Sequence, residues 1–418
     1  MPEITREMLL KMSHIAGNTP KINKLVLFLG RSGGQLIDNA KHCYLESIRG
    51  NYNFKSILYT ECRQAASELM TNKVSFINEL DFTLLSRVAV VVCDDFHWRG
   101  GIIDHMTHGA KIIQLWHGIP LKSIGMVQAL TEHQNMSQER QSWIRFGYSG
   151  YEAVLSTSDY VAKNIFNQVF ETKKFLNFGY PRNDVLLRPT VKLDKLDMIN
   201  VPKKLLSRLQ QHRKSGGKVI AYMPTFRDYN AKGELTGSQN AGRYLDISAL
   251  DRFGQQNNVL FMLKYHPYVK DIPDNLPEHC IFCPHWADAY PLLRFTDILL
   301  TDYSSVYFDY LLLNRPIHYF VPDKEEYEQK DRKFMLNFDD WTPGTKSHSQ
   351  KDCFTHLKQI IANNMDDGME TARIKIRDIL FKHHDDQAAA RCCRFLEECS
   401  STAGVSLRQE ETHETPFG

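Results

Sequence analysis

What this chain has little of narrows it before any motif is read. No apolar run approaches the roughly 20 residues needed to cross a bilayer. The longest near-candidate, Val88-Ala-Val-Val-Val-Cys93, is strand-sized and stops at Asp94-Asp95. The opening Met-Pro-Glu-Ile-Thr-Arg-Glu lacks the basic-then-apolar pattern of a secretory signal, so a cytosolic protein is expected. Neither sign of charge dominates: the formal net charge of +2 argues against a nucleic-acid partner. The nine cysteines are odd in number and scattered, which suits reduced thiols and not a disulfide framework.

Several chemistries are excluded on the same footing. There is no P-loop, which argues against ATP hydrolysis, and no metal-binding Asp-x-Asp at a strand end. Cys280-x-x-Cys283 sits beside His279 and His285, yet it falls on an expected strand and lacks a second ligand pair. His105-x-x-His108 and His383-His384-Asp385-Asp386 are no better as ligand sets, so no metal is expected.

What is present is an α/β pattern. At 418 residues, 42% hydrophobic and 24% charged, the chain is an ordinary globular protein too long for one core. Strand-like runs at 24–29, 55–59, 88–93, 111–115, 153–157 and 174–178 alternate with amphipathic stretches. The rhythm repeats at 218–223, 259–264, 280–283, 297–301 and 317–321. Such alternation predicts parallel sheets covered by helices, with function at the carboxyl ends of strands.

The expected domains are residues 1–200 and 201–385, followed by a helix over 386–400 and a disordered tail over 401–418. The boundary falls between 189 and 217, around a basic amphipathic helix over 201–214. That helix opens with a proline and ends at Gly216-Gly217. Further helices are expected over 352–363, 370–381 and 385–398.

Three strand ends carry chemistry. Lys111-Ile-Ile-Gln-Leu-Trp-His-Gly-Ile-Pro-Leu-Lys-Ser-Ile-Gly125 is an apolar run that stops in a loop presenting His117. Asp297-Ile-Leu-Leu-Thr-Asp-Tyr-Ser-Ser-Val-Tyr-Phe-Asp309 reads as strand, hydroxyl-rich turn and a helix beginning near Ser304. Backbone N–H groups and two serine hydroxyls there would cradle an anion, while one serine could equally cap the helix. Met262-Leu-Lys-Tyr-His-Pro-Tyr268 ends on a second histidine, His266. Two histidines and a phosphate-sized cradle at strand ends suggest phosphoryl or glycosyl transfer.

These residues resemble a known family, the CDP-glycerol glycerophosphotransferases that prime or polymerise teichoic acids and related capsule polymers. Trp116-His-Gly-Ile-Pro-Leu-Lys-Ser-Ile-Gly125 resembles one signature, and Thr301-Asp-Tyr-Ser-Ser-Val-Tyr-Phe-Asp309 with Arg315-Pro316 resembles another. Between them Gly179-Tyr-Pro-Arg-Asn-Asp184, Met223-Pro-Thr-Phe-Arg-Asp228 and Lys264-Tyr-His-Pro267 follow in the family's order. Asp38-Asn39-Ala-Lys41 resembles a family helix start, whereas Arg31-Ser-Gly-Gly34 matches no pattern that places it. Where the family shows Asp-Gly before its last helix, this chain has Asp385-Asp386-Gln387.

The resemblance implies a GT-B architecture, two Rossmann-like domains facing across a cleft with a carboxyl-terminal helix crossing back to the first. It implies attack by an acceptor hydroxyl on the β-phosphorus of a CDP-activated polyol, CDP-glycerol or CDP-ribitol, with release of CMP and no required cofactor. The acceptor would be a polymer or a lipid-linked acceptor, placing the enzyme peripherally at the inner face of the cell membrane. His117 would be the base, because histidine's pKa matches proton removal at neutral pH. His266 would bind or protonate the diphosphate, and Arg227 would neutralise charge on the leaving phosphate. Thr301, Asp302, Ser304 and Ser305 would form the cradle, with Gly118, Lys122 and Arg182 as further substrate contacts; Lys122, Arg182 and Asp184 could equally form a salt-bridge network. Competing readings are a GT-B glycosyltransferase or nucleotide-sugar epimerase, and a non-catalytic scaffold that keeps the cleft.

Overall fold

The computed structural model describes residues 4–132, 136–225, 245–265, 276–330 and 333–401. It contains two six-stranded, all-parallel sheets. The first comprises β1 (Leu25–Leu29), β2 (Lys55–Tyr59), β3 (Val90–Cys93), β4 (Lys111–Gln114), β5 (Ala153–Ser156) and β6 (Phe175–Asn177), in the order β2-β1-β3-β4-β5-β6. The second comprises β7 (Lys218–Met223), β8 (Val259–Leu263), β9 (Cys280–Phe282), β10 (Ile298–Thr301), β11 (Ile317–Phe320) and β12 (Thr345–Ser347), ordered β12-β11-β10-β7-β8-β9.

Apolar runs dictate this arrangement. Every residue of β1, Leu-Val-Leu-Phe-Leu, and of β8, Val-Leu-Phe-Met-Leu, is buried, as strands covered by helices on both faces require. Eleven strands fall where hydrophobic patterning predicts them. The twelfth, β12, is Thr-Lys-Ser at a sheet edge, and three polar residues give no apolar signal.

The helix predicted over 201–214 runs Lys203–Lys214, with Pro202 at its N-cap and only Leu205 and Leu209 buried. No helix among the described residues is long and apolar enough to cross a membrane.

Strand order reverses between β1 and β3 in the first sheet and between β7 and β10 in the second. Ligands of open α/β sheets bind in the crevices at such switch points, outside the carboxyl ends of the strands. Here those ends are Gly30-Arg31 and Asp94-Asp95 in one sheet, and Pro224-Thr225 and Asp302-Tyr303 in the other.

The last helix, Ala388–Ser401, returns to the first sheet, as the GT-B reading expects. It starts three residues later than the pattern suggests and takes in Ser401. Its Ala388, Ala389, Cys392, Cys393 and Leu396 are buried, and its Ser400 carbonyl accepts from Lys24 N just ahead of β1 at 3.1 Å. Residues 402–418 lie outside the described residues, as do His266 and Arg227.

Candidate active site

The loop after β4 is bent to present one side chain. Trp116 and Gly118 both take positive φ, 55° and 131°, on either side of His117. A tryptophan in that region is strained, at a cost of order 1–3 kcal/mol, and persists only where its surroundings hold it. Here Trp116 is 3% exposed, edge-on to Phe170 at 5.0 Å and stacked on His117 itself at 4.0 Å. Its N–H donates to Gln114 Oε1 at 3.0 Å, and its carbonyl accepts from Asn39 Nδ2 at 2.8 Å.

His117 is half-buried, and its Nδ1 lies 2.9 Å from the Asp94 backbone carbonyl. A carbonyl can only accept, so Nδ1 carries the proton and the neutral ring keeps its lone pair on Nε2. Burial, then the Arg31 charge, push its pKa down to about 3 against the opposing pull of Asp38. The imidazole is therefore neutral across the physiological range, with Nε2 open to a proton, but burial makes it a weaker base than the ordinary histidine the sequence suggests.

Beneath the loop lies a charged lattice that ties the two sheets together. Arg182, 4% exposed, donates from Nη1 to Asp38 Oδ1 at 2.6 Å and to the His117 carbonyl at 2.9 Å. Its Nη2 reaches Asp309 Oδ2 at 2.6 Å, in the helix Val306–Tyr310 of the second sheet. Asp309 also accepts from Asn183 Nδ2 at 2.8 Å and from the Tyr290 hydroxyl at 2.6 Å. Burial pushes the Asp38 carboxyl up, but the Arg182 and Arg31 charges outweigh it and hold it below the ordinary carboxylate range.

A second buried contact joins the sheets nearby. Lys41 Nζ and His42 Nε2 both meet Asp288 Oδ2, at 2.6 and 2.8 Å. Burial opposes ionisation of Asp288, yet the Lys41 charge and the hydrogen bonds from Lys41 and His42 hold it far below its usual value.

The turn after β10 forms the opposite wall. Thr301 Oγ1 donates to the Met223 carbonyl at 2.7 Å, and Asp302 Oδ1 accepts from Thr225 N at 2.8 Å. Thr301 and Asp302 are thus buried supports that join β10 to the end of β7. Ser304 and Ser305 are half-buried, and the helix starts at Val306, two residues later than expected. Ser305 occupies the N-cap without making a side-chain cap bond, and neither serine hydroxyl is hydrogen-bonded among the described residues. The cap reading of that serine is therefore not what the structure shows.

The two walls meet at Gly118. A Cβ added there would lie 2.8 Å from Arg182 Nη2 and 3.8 Å from Ser305 Oγ. His117, Gly118, Arg182 and Ser305 are thus brought to one place. Lys122 stands further along the loop, where its backbone bridges Phe334 and its Nζ lies 5.4 Å from the Tyr327 ring centre. Arg182 is a strut inside the site, since its guanidinium is committed to Asp38, Asp309 and the His117 carbonyl.

Nothing in the sequence announces the partners of Asp94, Asn39 and Asp184. Asp94 was seen only as the end of an apolar run; its two carboxyl oxygens accept from Ala40 N at 2.9 Å each and seat the helix Asp38–Arg49. Asn39 joins two motifs, donating to Trp116 O and accepting from Arg182 N at 3.1 Å. Asp184 caps the returning helix by accepting from Ala388 N and Ala389 N at 2.9 and 2.8 Å. That bond answers the departure at Asp385-Asp386-Gln387: the last helix is capped from a distant turn.

Comparison with known proteins follows this geometry. The profile of the family described as CDP-Glycerol:Poly(glycerophosphate) glycerophosphotransferase matches residues 11–398. The chain is 29% identical over 341 residues to the teichoic acid poly(glycerol phosphate) polymerase of Bacillus spizizenii, covering 79% of this chain and 82% of that one. It is 28% identical over 386 residues to the teichoic acid glycerol-phosphate primase of Bacillus subtilis, covering 87% and 90%. Among solved structures it superposes on the wall teichoic acid polymerase TagF with a TM-score of 0.72 at 19% identity, over 94% of both chains.

Proposed function

This chain belongs to the CDP-glycerol:poly(glycerophosphate) glycerophosphotransferase family, and from that premise we propose that it transfers glycerol phosphate from CDP-glycerol to a hydroxyl of a teichoic-acid-type acceptor, releasing CMP. The observation that carries the reading is the His117–Asp94 bond, which leaves Nε2 as the proton acceptor on a loop whose Gly118 approaches Ser305. The acceptor hydroxyl oxygen forms a bond to the β-phosphorus of CDP-glycerol while its proton passes to Nε2. The bond between that phosphorus and the bridging oxygen breaks, and CMP leaves with the electron pair.

Each residue's part follows from its position. Ser304 and Ser305 offer hydroxyls to the diphosphate, and Asp302 and Thr301 hold their turn. Gly118 lets the loop approach that turn, and Lys122 supplies positive charge at the loop's far end. His266 and Arg227 join the site from the motifs alone, as the groups that bind and neutralise the departing phosphate. Acceptors of this kind are lipid-linked or polymeric, which sets the enzyme to work peripherally at the inner face of the cell membrane.

Incubating the purified protein with CDP-glycerol and a glycerol-phosphate-terminated acceptor tests the reading. CMP should appear in step with acceptor elongation, and the His117→Asn protein should fold but not turn over. Elongation from a UDP-sugar and not from CDP-glycerol would overturn it. Relatives include a teichoic acid ribitol-phosphate polymerase of Staphylococcus aureus, 24% identical over 394 residues, so CDP-ribitol is the comparison donor.

A further inference from the structure

One cation on the first sheet is built into the lattice along one side only. Arg31 follows β1 at the switch point of the first sheet, and its Nη1 donates to Asp38 Oδ2 at 2.8 Å. Asp38 is thereby shared between two arginines, one oxygen to each. The two differ in what remains to them. Arg182 is 5% exposed by side chain and spent on protein partners, whereas Arg31 is 36% exposed. Its Nε and Nη2 donate to no protein group among the described residues. A guanidinium clamped along one side by a carboxylate is pre-oriented, so less freedom is lost when the other side takes an anion.

Resting on the transfer reading above, we propose that Arg31 binds the phosphodiester of the acceptor's own terminal unit, so that the site recognises a chain that already ends in polyol phosphate. The placement favours the acceptor over the donor. Arg31 and His117 follow strands of the same sheet and are linked through Asp38 and Arg182, while the serine turn offered to the donor belongs to the other sheet. In a terminal glycerol phosphate the primary hydroxyl and the phosphate lie at opposite ends of three carbons. With the hydroxyl at Nε2, the phosphate falls toward the nearby guanidinium.

The same contact affects the base. His117 is faced by the positive charges of Arg31 and Arg182 and by the carboxylate of Asp38, with the Asp94 carbonyl on Nδ1. A phosphate paired with Arg31 offsets the charge that most disfavours a protonated ring after burial itself. His117 then becomes a stronger base when a phosphorylated acceptor is in place.

The test compares two soluble acceptors with the same terminal diol, octyl phosphoglycerol and octyl glycerol ether, in the wild-type protein and in Arg31→Gln and Arg31→Lys. Wild type should prefer the phosphorylated acceptor. Arg31→Gln should raise its KM by about 10- to 100-fold, as loss of a charged hydrogen bond implies, and erase the preference. Arg31→Lys should keep part of it, and KM for CDP-glycerol should hold in both variants. Equal losses with both acceptors, or a rise confined to the CDP-glycerol KM, would overturn the assignment. Should wild type release no CMP at all, the transfer reading fails, and calorimetric titration with octyl phosphoglycerol still decides Arg31. Binding lost in Arg31→Gln upholds the phosphate site, and equal binding removes it.

Discussion

Arg182 Nη2 and Asp309 Oδ2 meet at 2.6 Å across the two sheets, with side chains 5% and 1% exposed. The same guanidinium holds the His117 carbonyl, so the pair that joins the sheets also sets the His117 loop. Breaking a buried ion pair from one side leaves the other charge uncompensated. Arg182→Met should therefore cost about 3–5 kcal/mol, read as a lowered urea midpoint. Asp309→Asn, which leaves Arg182 its Asp38 partner, should cost less.

His117→Asn removes the lone pair on Nε2 while an amide N–H can still reach the Asp94 carbonyl. Loss of a general base lowers the rate about 10²- to 10⁴-fold. CMP release should fall by that factor with melting temperature unchanged. Retained turnover at saturating substrates would move the base elsewhere.

Gly118→Ala places a Cβ where φ is 131° and Arg182 Nη2 stands 2.8 Å away. The backbone strain is of order 1–3 kcal/mol, and the arginine must also shift. Both stability and CMP release should drop, whereas Gly216→Ala, with nothing within 4 Å of its Cβ, should lower stability alone.

His318 predicts a pH dependence. Nδ1 lies 2.6 Å from Thr345 Oγ1 and Nε2 lies 2.8 Å from Ser347 Oγ, and burial, aided by His356, pushes its pKa down to about 3. The unfolded value is near 6.5, so the unfolded chain takes up the proton first. The stability that comes from keeping this ring neutral is complete above about pH 6.5 and is lost as pH falls toward 3, at roughly 1.4 kcal/mol per unit. Urea unfolding at pH 7 and pH 5 should show a gap that shrinks by about 2 kcal/mol in His318→Asn. An unchanged gap would mean the ring is not held neutral.

Asp184→Ala takes the acceptor from two helix N–H groups at once. Leaving such groups unpaired costs about 1–3 kcal/mol. Hydrogen exchange at Ala388 and Ala389 should quicken while that of β8 does not. Protection retained at those amides would show that the helix caps itself.

Much of this was readable from residue order. Apolar runs place eleven strands because burial on both faces leaves a continuous signal, and the His117 and serine motifs stand at the strand ends they suggest. What escaped reading is contact between distant residues of ordinary type. Nothing local to Asp184 announces a partner 204 residues away, and Asn39 reads as a helix-start residue until the Trp116 carbonyl is beside it. From the sequence Arg182 reads equally as a contact to the loop or acceptor phosphate and as a member of a salt-bridge network. Only its neighbours reveal that its charge is already balanced by Asp38 and Asp309.

The return of Ala388–Ser401 to the first sheet sets an order of assembly. The ribosome completes β1 to β6 long before it makes the helix that covers Cys43 and receives the Asp184 carboxylate. Until then the first half is an unfinished intermediate with an apolar face open to solvent, a state prone to misassembly. A fragment ending near residue 200 should therefore collapse and aggregate, and supplying residues 388–401 in trans should rescue its solubility.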